Sequence, residues 1–283
     1  MNTDYIAANE KSEERAVTEF YIPTEQKIVR VFIVGDSTGS PFNDTSYLPR
    51  FGFGTKVQDY LEKDKACVIN LAVSGRSSVS FITDYSSAKN YAILKENIRA
   101  GDYLIIAFGH NDEKLEDARY SNPNGSKESN GSFKHSLFEH YVKLAQSVNA
   151  IPILVTPIVR YSPAGDYSGI TAHITETSGK YEGGDYPKAI RELGSEVGVT
   201  VVDQTENTKK LYKALGEKAT LFLAQNTPDI STLDKTHLNA YGASQIAYML
   251  VTDLATKDEG FKKLVIANPK EPSIALRVPN PNY

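Results

Sequence analysis

The stretch VRVFIVGDSTGS, residues 29–40, decides how the rest of the chain is interpreted. Its first part is almost continuously apolar and β-branched, which is typical of a strand buried on both faces of a parallel sheet. The strand ends abruptly in GDSTG (35–39). These residue types form turns, but a turn at this place would also display the hydroxyl of Ser37 at the end of a sheet strand, where a nucleophile could act.

Four more apolar runs follow along the chain, and helical patterns lie between them. Each run is rich in Val and Ile and is bounded by Gly, Pro or Asp, so we interpret all five runs as buried strands. Strands that alternate with helices indicate one three-layer α/β domain with right-handed crossovers. The predicted strands are 27–35, 66–72, 102–109, 151–157 and 199–204.

Five segments carry apolar residues at helical spacing. The last of them starts directly after Asn239, a residue type that caps helix N-termini. The predicted helices are 54–64, 135–148, 186–197, 205–224 and 239–257.

The chain divides into an N-terminal arm (1–26), a catalytic domain (27–256) and a Pro-rich C-terminal tail (257–283). Within the domain, two long polar segments, 112–135 and 160–187, follow predicted strands. Ligands bind at the carboxyl ends of strands in open α/β sheets. We therefore expect these two insertions to be binding loops or lids.

Composition narrows the classes of function. The chain has 283 residues, of which 40% are hydrophobic and 23% charged, and its formal net charge is −4. This balance makes nucleic acid and anionic membranes unfavoured partners, and the chain contains no apolar run of the ~20 residues that a membrane span needs. The first residues lack the features of a signal peptide. We expect a cytoplasmic protein, or a secreted one if the chain is a mature or trimmed form.

Three further motifs that contain side chains able to act as bases, acids or hydrogen-bond donors follow the GDSTG turn. NLAVSGRS (70–77) comes after the second predicted strand, GHND (109–112) after the third, and DKTH (234–237) before the last helix. The first two lie with the GDSTG turn at one edge of a parallel sheet. A last helix that packs back across the sheet can bring the fourth motif to the same edge.

Acyl transfer requires the residue types that these motifs supply. A serine such as Ser37 needs a base within hydrogen-bond reach, and His237 is the candidate. A carboxylate can hold the imidazole in one tautomer, and Asp234 lies three residues before His237. The tetrahedral intermediate needs donors for its oxyanion, which the Ser37 and Gly75 N–H groups and the Asn111 side-chain amide can supply.

This set of residues resembles the SGNH hydrolase superfamily, also called the GDSL esterases. The four blocks of that superfamily are met here by Ser37, by Gly75, by Asn111, and by Asp234 with His237. The resemblance implies a flavodoxin-like fold of about five parallel strands flanked by helices, with a shallow and exposed active site. It implies neither a metal nor an organic cofactor.

In detail, the motifs look like the rhamnogalacturonan acetylesterase branch of the superfamily. The matching segments are GDST (35–38), AVSGRS (72–77) and GHND (109–112). The chain departs from the branch at Phe53, where the Gly-Trp-Gly motif of the branch has Trp, and it contains no Trp at all. Sugar sites often use Trp as a platform, and Tyr can stack on sugars in the same way. Candidates in the two insertions are Tyr120, Tyr161, Tyr167 and Tyr181.

The resemblance implies a serine esterase that removes O-acetyl groups from plant cell-wall saccharides of the pectin or xylan type. An acetylated saccharide is therefore the expected partner, and the oligomeric state stays open. One alternative is a lipase or thioesterase of the same superfamily, which would need an apolar groove. A second is an inactive relative that binds carbohydrate, which the intact Ser37, Asp234 and His237 disfavour.

Two more residues beside these motifs are candidates for binding substrate. Arg76 could bind an anionic sugar such as a uronate, but it could equally pair with Asp112 or Asp36. His110 could contact the substrate, or it could fix its own loop by hydrogen bonds. Sequence alone leaves both pairs of alternatives open.

Overall fold

The computed structural model describes residues 20–42, 47–224 and 233–273. Five parallel strands form one sheet in the order β2-β1-β3-β4-β5, which is the flavodoxin-like order of a doubly wound sheet. All five predicted strands are confirmed. They are β1 (Val29–Gly35), β2 (Ala66–Asn70), β3 (Tyr103–Ala107), β4 (Ile151–Val155) and β5 (Thr200–Val202).

Helices cover both faces of the sheet. In the described residues they are α1 (Ser80–Thr83), α2 (Tyr85–Asn97), α3 (Phe133–Leu137), α4 (Lys143–Ser147), α5 (Tyr186–Val197), α6 (Gln204–Leu215), α7 (Ala240–Lys257) and α8 (Glu259–Lys262). A π-helical turn (Phe138–Val142) joins α3 to α4. Short 3-10 helices are Phe53–Thr55, Val57–Tyr60, Gly169–Ala172 and Gly216–Phe222.

The core consists of two apolar layers separated by the sheet. Val31 and Ile33 of β1 face the layer that includes α7, whereas Phe32 and Val34 face the layer that includes α3 and α5. Because neighbouring residues of a strand point to opposite faces, a continuously apolar strand needs such a layer on each side. The predicted three-layer α/β architecture is confirmed.

The predicted helix 186–197 coincides with α5, and α7 begins after Asn239 as predicted. The side chain of Asn239 caps α7 by accepting the N–H of Gly242 at 2.9 Å. The predicted helix 205–224 forms α6 only as far as Leu215. Gly216 ends it with a positive φ of 55°, and a 3-10 helix follows.

The prediction of a helix over 54–64 is wrong, since the segment forms two short 3-10 turns instead. Its side chains satisfy the free edge of β2. The side-chain oxygen of Gln58 accepts the N–H of Val68 at 2.8 Å, and its amide nitrogen donates to the carbonyl of Ala66 at 3.2 Å. Pairing with an exposed strand edge therefore outweighs the helical pattern of this segment.

The helix α2 was not predicted from the sequence. It begins at a cap in which the Asp84 side chain accepts the N–H of Ser86 at 2.9 Å. The residues of α2 are half-buried or exposed, except for Ser87 and Leu94, which are buried. Because so few of its residues are buried, α2 does not present a continuous apolar face, and a sequence pattern that depends on such a face cannot detect it.

The terminal segments are described only in part, because residues 1–19 and 274–283 lie outside the described residues. The side chain of Arg99 donates to the carbonyls of Thr24 and Glu25. At the other end, Val265 forms an antiparallel bridge with Leu61. The division into arm, domain and tail stays a prediction. Across the described segments, no helix has the length and apolarity to cross a membrane.

Asp112 joins the loops that follow β2 and β3. Its carboxylate is fully buried and accepts the N–H and hydroxyl of Ser78 at 3.0 and 2.6 Å and the hydroxyl of Ser121 at 3.0 Å. Burial raises the pKa of Asp112 to about 7, although these hydrogen bonds favour the charged form. The loops that carry Gly75 and Asn111 are thus held together by one buried carboxyl group.

We expect the buried Asp112 to make stability depend on pH near neutrality. Its pKa is raised in the folded state, so its contribution is complete below the ordinary value of 3.8 and is lost as the pH rises through about 7. Asp112→Asn cannot ionise. Between about pH 5 and pH 8 the free energy of unfolding of the wild type should fall relative to this variant by roughly 2–3 kcal/mol.

Urea unfolding of the two proteins at matched pH values measures this difference. The contributions of the other carboxylates to the pH dependence of unfolding cancel in the comparison, because both proteins contain them. A difference that stays constant with pH, or one that changes in the opposite direction, would contradict the ionisation of Asp112 within this range.

Candidate active site

Ser37 lies in the turn that ends β1. The side chain of Asp36 accepts the N–H and the hydroxyl of Thr38 at 2.9 and 2.8 Å, so the acid closes the turn around the serine. Gly35 makes this geometry possible, because a Cβ there would lie 2.5 Å from the carbonyl oxygen of Ala107 on β3. The turn places Ser37 at the carboxyl edge of the sheet with 6% of its surface exposed.

The structure brings Ser37, His237 and Asp234 into one hydrogen-bonded chain. The Nε2 atom of His237 lies 3.0 Å from the Oγ atom of Ser37, and its Nδ1 atom lies 2.8 Å from Oδ2 of Asp234. These are the distances at which a base can take the proton of a serine while a carboxylate orients the base. The arrangement is chemically capable of nucleophilic attack by Ser37 on an ester.

A local turn accounts for the position of the acid beside the imidazole. The Oδ1 atom of Asp234 accepts the N–H groups of Thr236 and His237, each at 3.0 Å. Burial alone would raise the pKa of Asp234, but the hydrogen bond to His237, the charge of that residue and these two N–H groups hold the pKa well below its ordinary range. Asp234 is therefore a carboxylate throughout the range in which the protein would work.

The backbone around His237 is held from two sides. Its carbonyl accepts the N–H of Ala224 at 2.9 Å, and the carbonyl of Leu238 accepts the N–H of Phe51 at 2.8 Å. Gly242 lets α7 approach the end of the 3-10 helix Gly216–Phe222 closely, since a Cβ there would lie 1.9 Å from the carbonyl oxygen of Phe222. These contacts hold the DKTH motif in the position that brings His237 to Ser37.

Two residues that the sequence did not single out complete this side of the site. The Nη2 atom of Arg50 lies 2.8 Å from Oδ2 of Asp234, the oxygen that also faces His237. Phe42 has a positive φ of 44° and packs edge-on against the His237 ring, with 6.1 Å between ring centroids. Neither belongs to a motif, so no spacing could have identified them.

The other candidate donors lie at the ends of the neighbouring strands. Gly75 has a positive φ of 78°, and the loop that contains it runs beside β1 because the N–H of Val73 donates to the carbonyl of Gly35 at 3.0 Å. The Nδ2 atom of Asn111 donates to the carbonyl of Arg76 at 3.2 Å. The loops that carry Gly75 and Asn111 are therefore in direct contact, and their role as oxyanion donors stays a prediction.

Arg76 does not pair with Asp112 or Asp36, which were the structural partners considered for it. Its guanidinium lies 3.2 Å from the carboxylate of Asp84 and donates to the hydroxyl of Ser86. This ion pair anchors Arg76 to the start of α2. With 22% of its side chain exposed, a direct role in binding substrate stays a prediction.

His110 lies beside the turn that contains Ser37. Only 3% of its surface is exposed, its Nδ1 atom is 3.5 Å from the carboxylate of Asp36, and its ring centroid is 4.3 Å from that of His173. Burial, and next the charge of His173, lower the pKa of His110 to about 4, so the ring is neutral near pH 7. This burial disfavours direct contact with substrate. Neither ring nitrogen has a hydrogen-bond partner in the described residues, so the alternative that His110 fixes its loop by hydrogen bonds stays a prediction.

The tyrosines of the two insertions differ in their exposure. Tyr161 and Tyr167 are buried against Tyr212, so they offer no platform for a sugar. Tyr120 and Tyr181 are half-buried and pack edge-on, with 5.0 Å between their ring centroids. This pair joins the insertion after β3 to the insertion after β4.

Comparison with known proteins identifies relatives along most of the chain. It is 32% identical over 239 residues to rhamnogalacturonan acetylesterase RhgT of Bacillus subtilis, which covers 80% of this chain and 89% of that protein. It is 25% identical over 225 residues to a rhamnogalacturonan acetylesterase of Emericella nidulans, which covers 77% of this chain and 81% of that protein.

A solved structure supports the fold. The X-ray structure of a Bacillus subtilis protein matches with a TM-score of 0.59 at 21% identity, covering 81% of this chain and 56% of that one. The sequence model of the GDSL-like lipase/acylhydrolase family matches residues 31–250, which include the Ser37 turn and the DKTH motif. The chain therefore belongs to the GDSL-like lipase/acylhydrolase family and is a carboxylic ester hydrolase.

Proposed function

We propose that this protein is a serine esterase that removes O-acetyl groups from plant cell-wall poly- or oligosaccharides of the rhamnogalacturonan type. The observation that carries the proposal is the pair of hydrogen bonds that links Ser37 to His237 and His237 to Asp234. Support for the substrate comes from the two relatives, both named rhamnogalacturonan acetylesterases.

In the first half of the reaction, His237 acts as the base. Its Nε2 atom takes the proton of Ser37 while the serine Oγ attacks the carbonyl carbon of the acetyl group. Asp234 accepts the Nδ1–H of the imidazole, which leaves Nε2 free to accept a proton and stabilises the imidazolium that forms. His237 then gives this proton to the departing sugar hydroxyl, and an acetyl-serine remains.

In the second half, water replaces the sugar. His237 takes a proton from the water, which attacks the acetyl-serine, and acetate leaves as Ser37 regains its proton. Both tetrahedral intermediates carry an oxyanion. The N–H groups of Ser37 and Gly75 and the side-chain amide of Asn111 are the donors we assign to it, and one such donor is typically worth ~3 kcal/mol.

The surroundings of the site favour a saccharide over a fatty acyl chain. The polar insertions 112–135 and 160–187 follow β3 and β4 at the edge where Ser37 lies. Arg50 and Arg76 are partly exposed beside it, with 33% and 22% of their side chains accessible. Guanidinium groups are suited to polar and anionic sugars. An apolar groove of the kind that a lipase uses would need different residues there.

We expect Ser37→Ala to lower kcat on p-nitrophenyl acetate by at least about 10³-fold, because the variant has no nucleophile for His237 to activate. Ser147→Ala is the matched control: Ser147 is an exposed residue at the end of α4, and its loss should leave the rate unchanged. Stopped assays of p-nitrophenol release measure both. A Ser37→Ala protein that keeps most of its activity would exclude the proposed mechanism.

We expect kcat/KM to fall as the pH is lowered, because a protonated imidazole cannot accept the Ser37 proton. Asp234 stays ionised over this range, since its pKa is held well below its ordinary range. The acid limb of log kcat/KM should therefore have a slope of about one. A pH series on p-nitrophenyl acetate measures the slope, and a slope near two would contradict the persistent ionisation of Asp234.

A panel of substrates tests the acyl group and the sugar. Acetate release should be fastest from acetylated rhamnogalacturonan fragments, slower from acetylated xylan and mannan fragments, and absent with Ser37→Ala. Among p-nitrophenyl esters, the acetate should be preferred over the octanoate. A preference for octanoate would favour the lipase alternative, whereas saccharide binding without acetate release would favour an inactive binding protein.

A further inference from the structure

We propose that Arg119 is a positioning residue for ester hydrolysis, which orients and polarises the side-chain amide of Asn111 so that this amide can bind the oxyanion. The inference rests on the proposed function, in which Asn111 is one of the oxyanion donors. It concerns a residue outside the four motifs, supplied by the polar insertion that follows β3.

The amide of Asn111 has a defined contact at each of its two ends. Its Oδ1 atom accepts a hydrogen bond from Nη1 of Arg119 at 2.9 Å, and its Nδ2 atom donates to the carbonyl of Arg76 at 3.2 Å. Asn111 is buried, with 6% of its surface exposed. One hydrogen of the Nδ2 group is thus used by the carbonyl of Arg76, and the second is the one that we assign to the oxyanion.

The two contacts decide which end of the amide is the oxygen. A guanidinium group only donates hydrogen bonds and a backbone carbonyl only accepts them. Rotation of the Asn111 amide by half a turn would place its NH₂ group against Arg119 and its oxygen against Arg76, so both contacts would be repulsive. An oxygen turned toward the intermediate would also oppose its negative charge. Arg119 therefore keeps the donor side of Asn111 available.

Charge adds to this orientation. A hydrogen bond from a guanidinium is charge-assisted and draws electron density toward Oδ1, which makes the Nδ2–H groups of Asn111 stronger donors. Arg119 also places a positive charge one amide away from the developing oxyanion. With 27% of its side chain exposed, Arg119 is partly shielded from the solvent that would weaken this interaction.

The insertion holds Arg119 in place. The carboxylate of Glu116 accepts a hydrogen bond from Nε of Arg119, and the N–H of Arg119 donates to the carbonyl of Glu116 at 3.1 Å. The turn begins at Asn111 itself, whose carbonyl accepts the N–H of Lys114 at 3.2 Å. Ser121, two residues after Arg119, donates a hydrogen bond to the buried carboxylate of Asp112. The segment is therefore anchored at both ends around Arg119.

We expect Arg119→Met to lower kcat on p-nitrophenyl acetate by about 10- to 50-fold, less than the full loss of an oxyanion donor, while KM changes little. Arg119→Lys should recover part of the rate because it retains the charge. The matched control is Arg99→Met. In the described residues, the side chain of Arg99 forms hydrogen bonds only to the carbonyls of Thr24 and Glu25. This change should therefore leave kcat unaltered.

A double-mutant cycle separates positioning from a general structural effect. If Arg119 acts through Asn111, then Arg119→Met should change kcat by less than about two-fold once Asn111→Ala is present. Effects that multiply would mean that Arg119 does not act through Asn111, which would overturn the inference. A wild-type rate for Arg119→Met alone would overturn it equally.

The assay also separates this inference from the proposed function. Ser37→Ala is measured on the same substrate: if it is active, the proposed mechanism fails, whereas an inactive Ser37→Ala with a fully active Arg119→Met overturns only the role of Arg119. Affinity for a boronic acid that forms a tetrahedral adduct with Ser37 provides a second readout. It should weaken in Arg119→Met in parallel with kcat/KM, and unchanged affinity would contradict the inference.

Discussion

The hydrogen bond between Ser37 and His237 is the interaction on which the rest of the site depends. It joins residues 200 positions apart at a distance of 3.0 Å. One end is fixed by the turn after β1, which Asp36 closes, and the other by the turn of Asp234 that precedes the cap of α7. Because a proton can move between these atoms only at hydrogen-bond distance, the packing of α7 across the sheet is a condition for the proposed chemistry and not only for stability.

Behind this hydrogen bond lies a layer of buried polar groups that hold the strand-end loops in place. Asp112 joins the loops that carry Gly75 and Asn111, and Arg119 contacts the amide of Asn111 directly. Burying such groups is costly unless their hydrogen bonds are made. In the proposed mechanism, the benefit is that the assigned donors are oriented before the substrate arrives, so an oxyanion is stabilised without reorganisation.

Sequence patterns succeeded where one local feature decides the structure. Continuous apolar runs predicted all five strands, and the cap at Asn239 predicted the start of α7. Sequence patterns failed where contacts with residues distant along the chain decide the local structure. The helical pattern of 54–64 yields to the free edge of β2, which Gln58 satisfies. The helix α2 buries only Ser87 and Leu94, so it has no apolar face for a pattern to detect. Arg50 and Arg119 likewise became recognisable only through the side chains that they contact.

The sequence by itself determined the family, the order of the strands along the chain and the candidate catalytic residues, because the four motifs are short and each follows or precedes a recognisable element. Tertiary structure alone decided how these motifs meet and what surrounds them. It paired Arg76 with Asp84, buried His110 beside Asp36 and brought Arg119 to Asn111. The physical reason is that a hydrogen bond or an ion pair depends on distances in space, whereas a sequence records only distances along the chain.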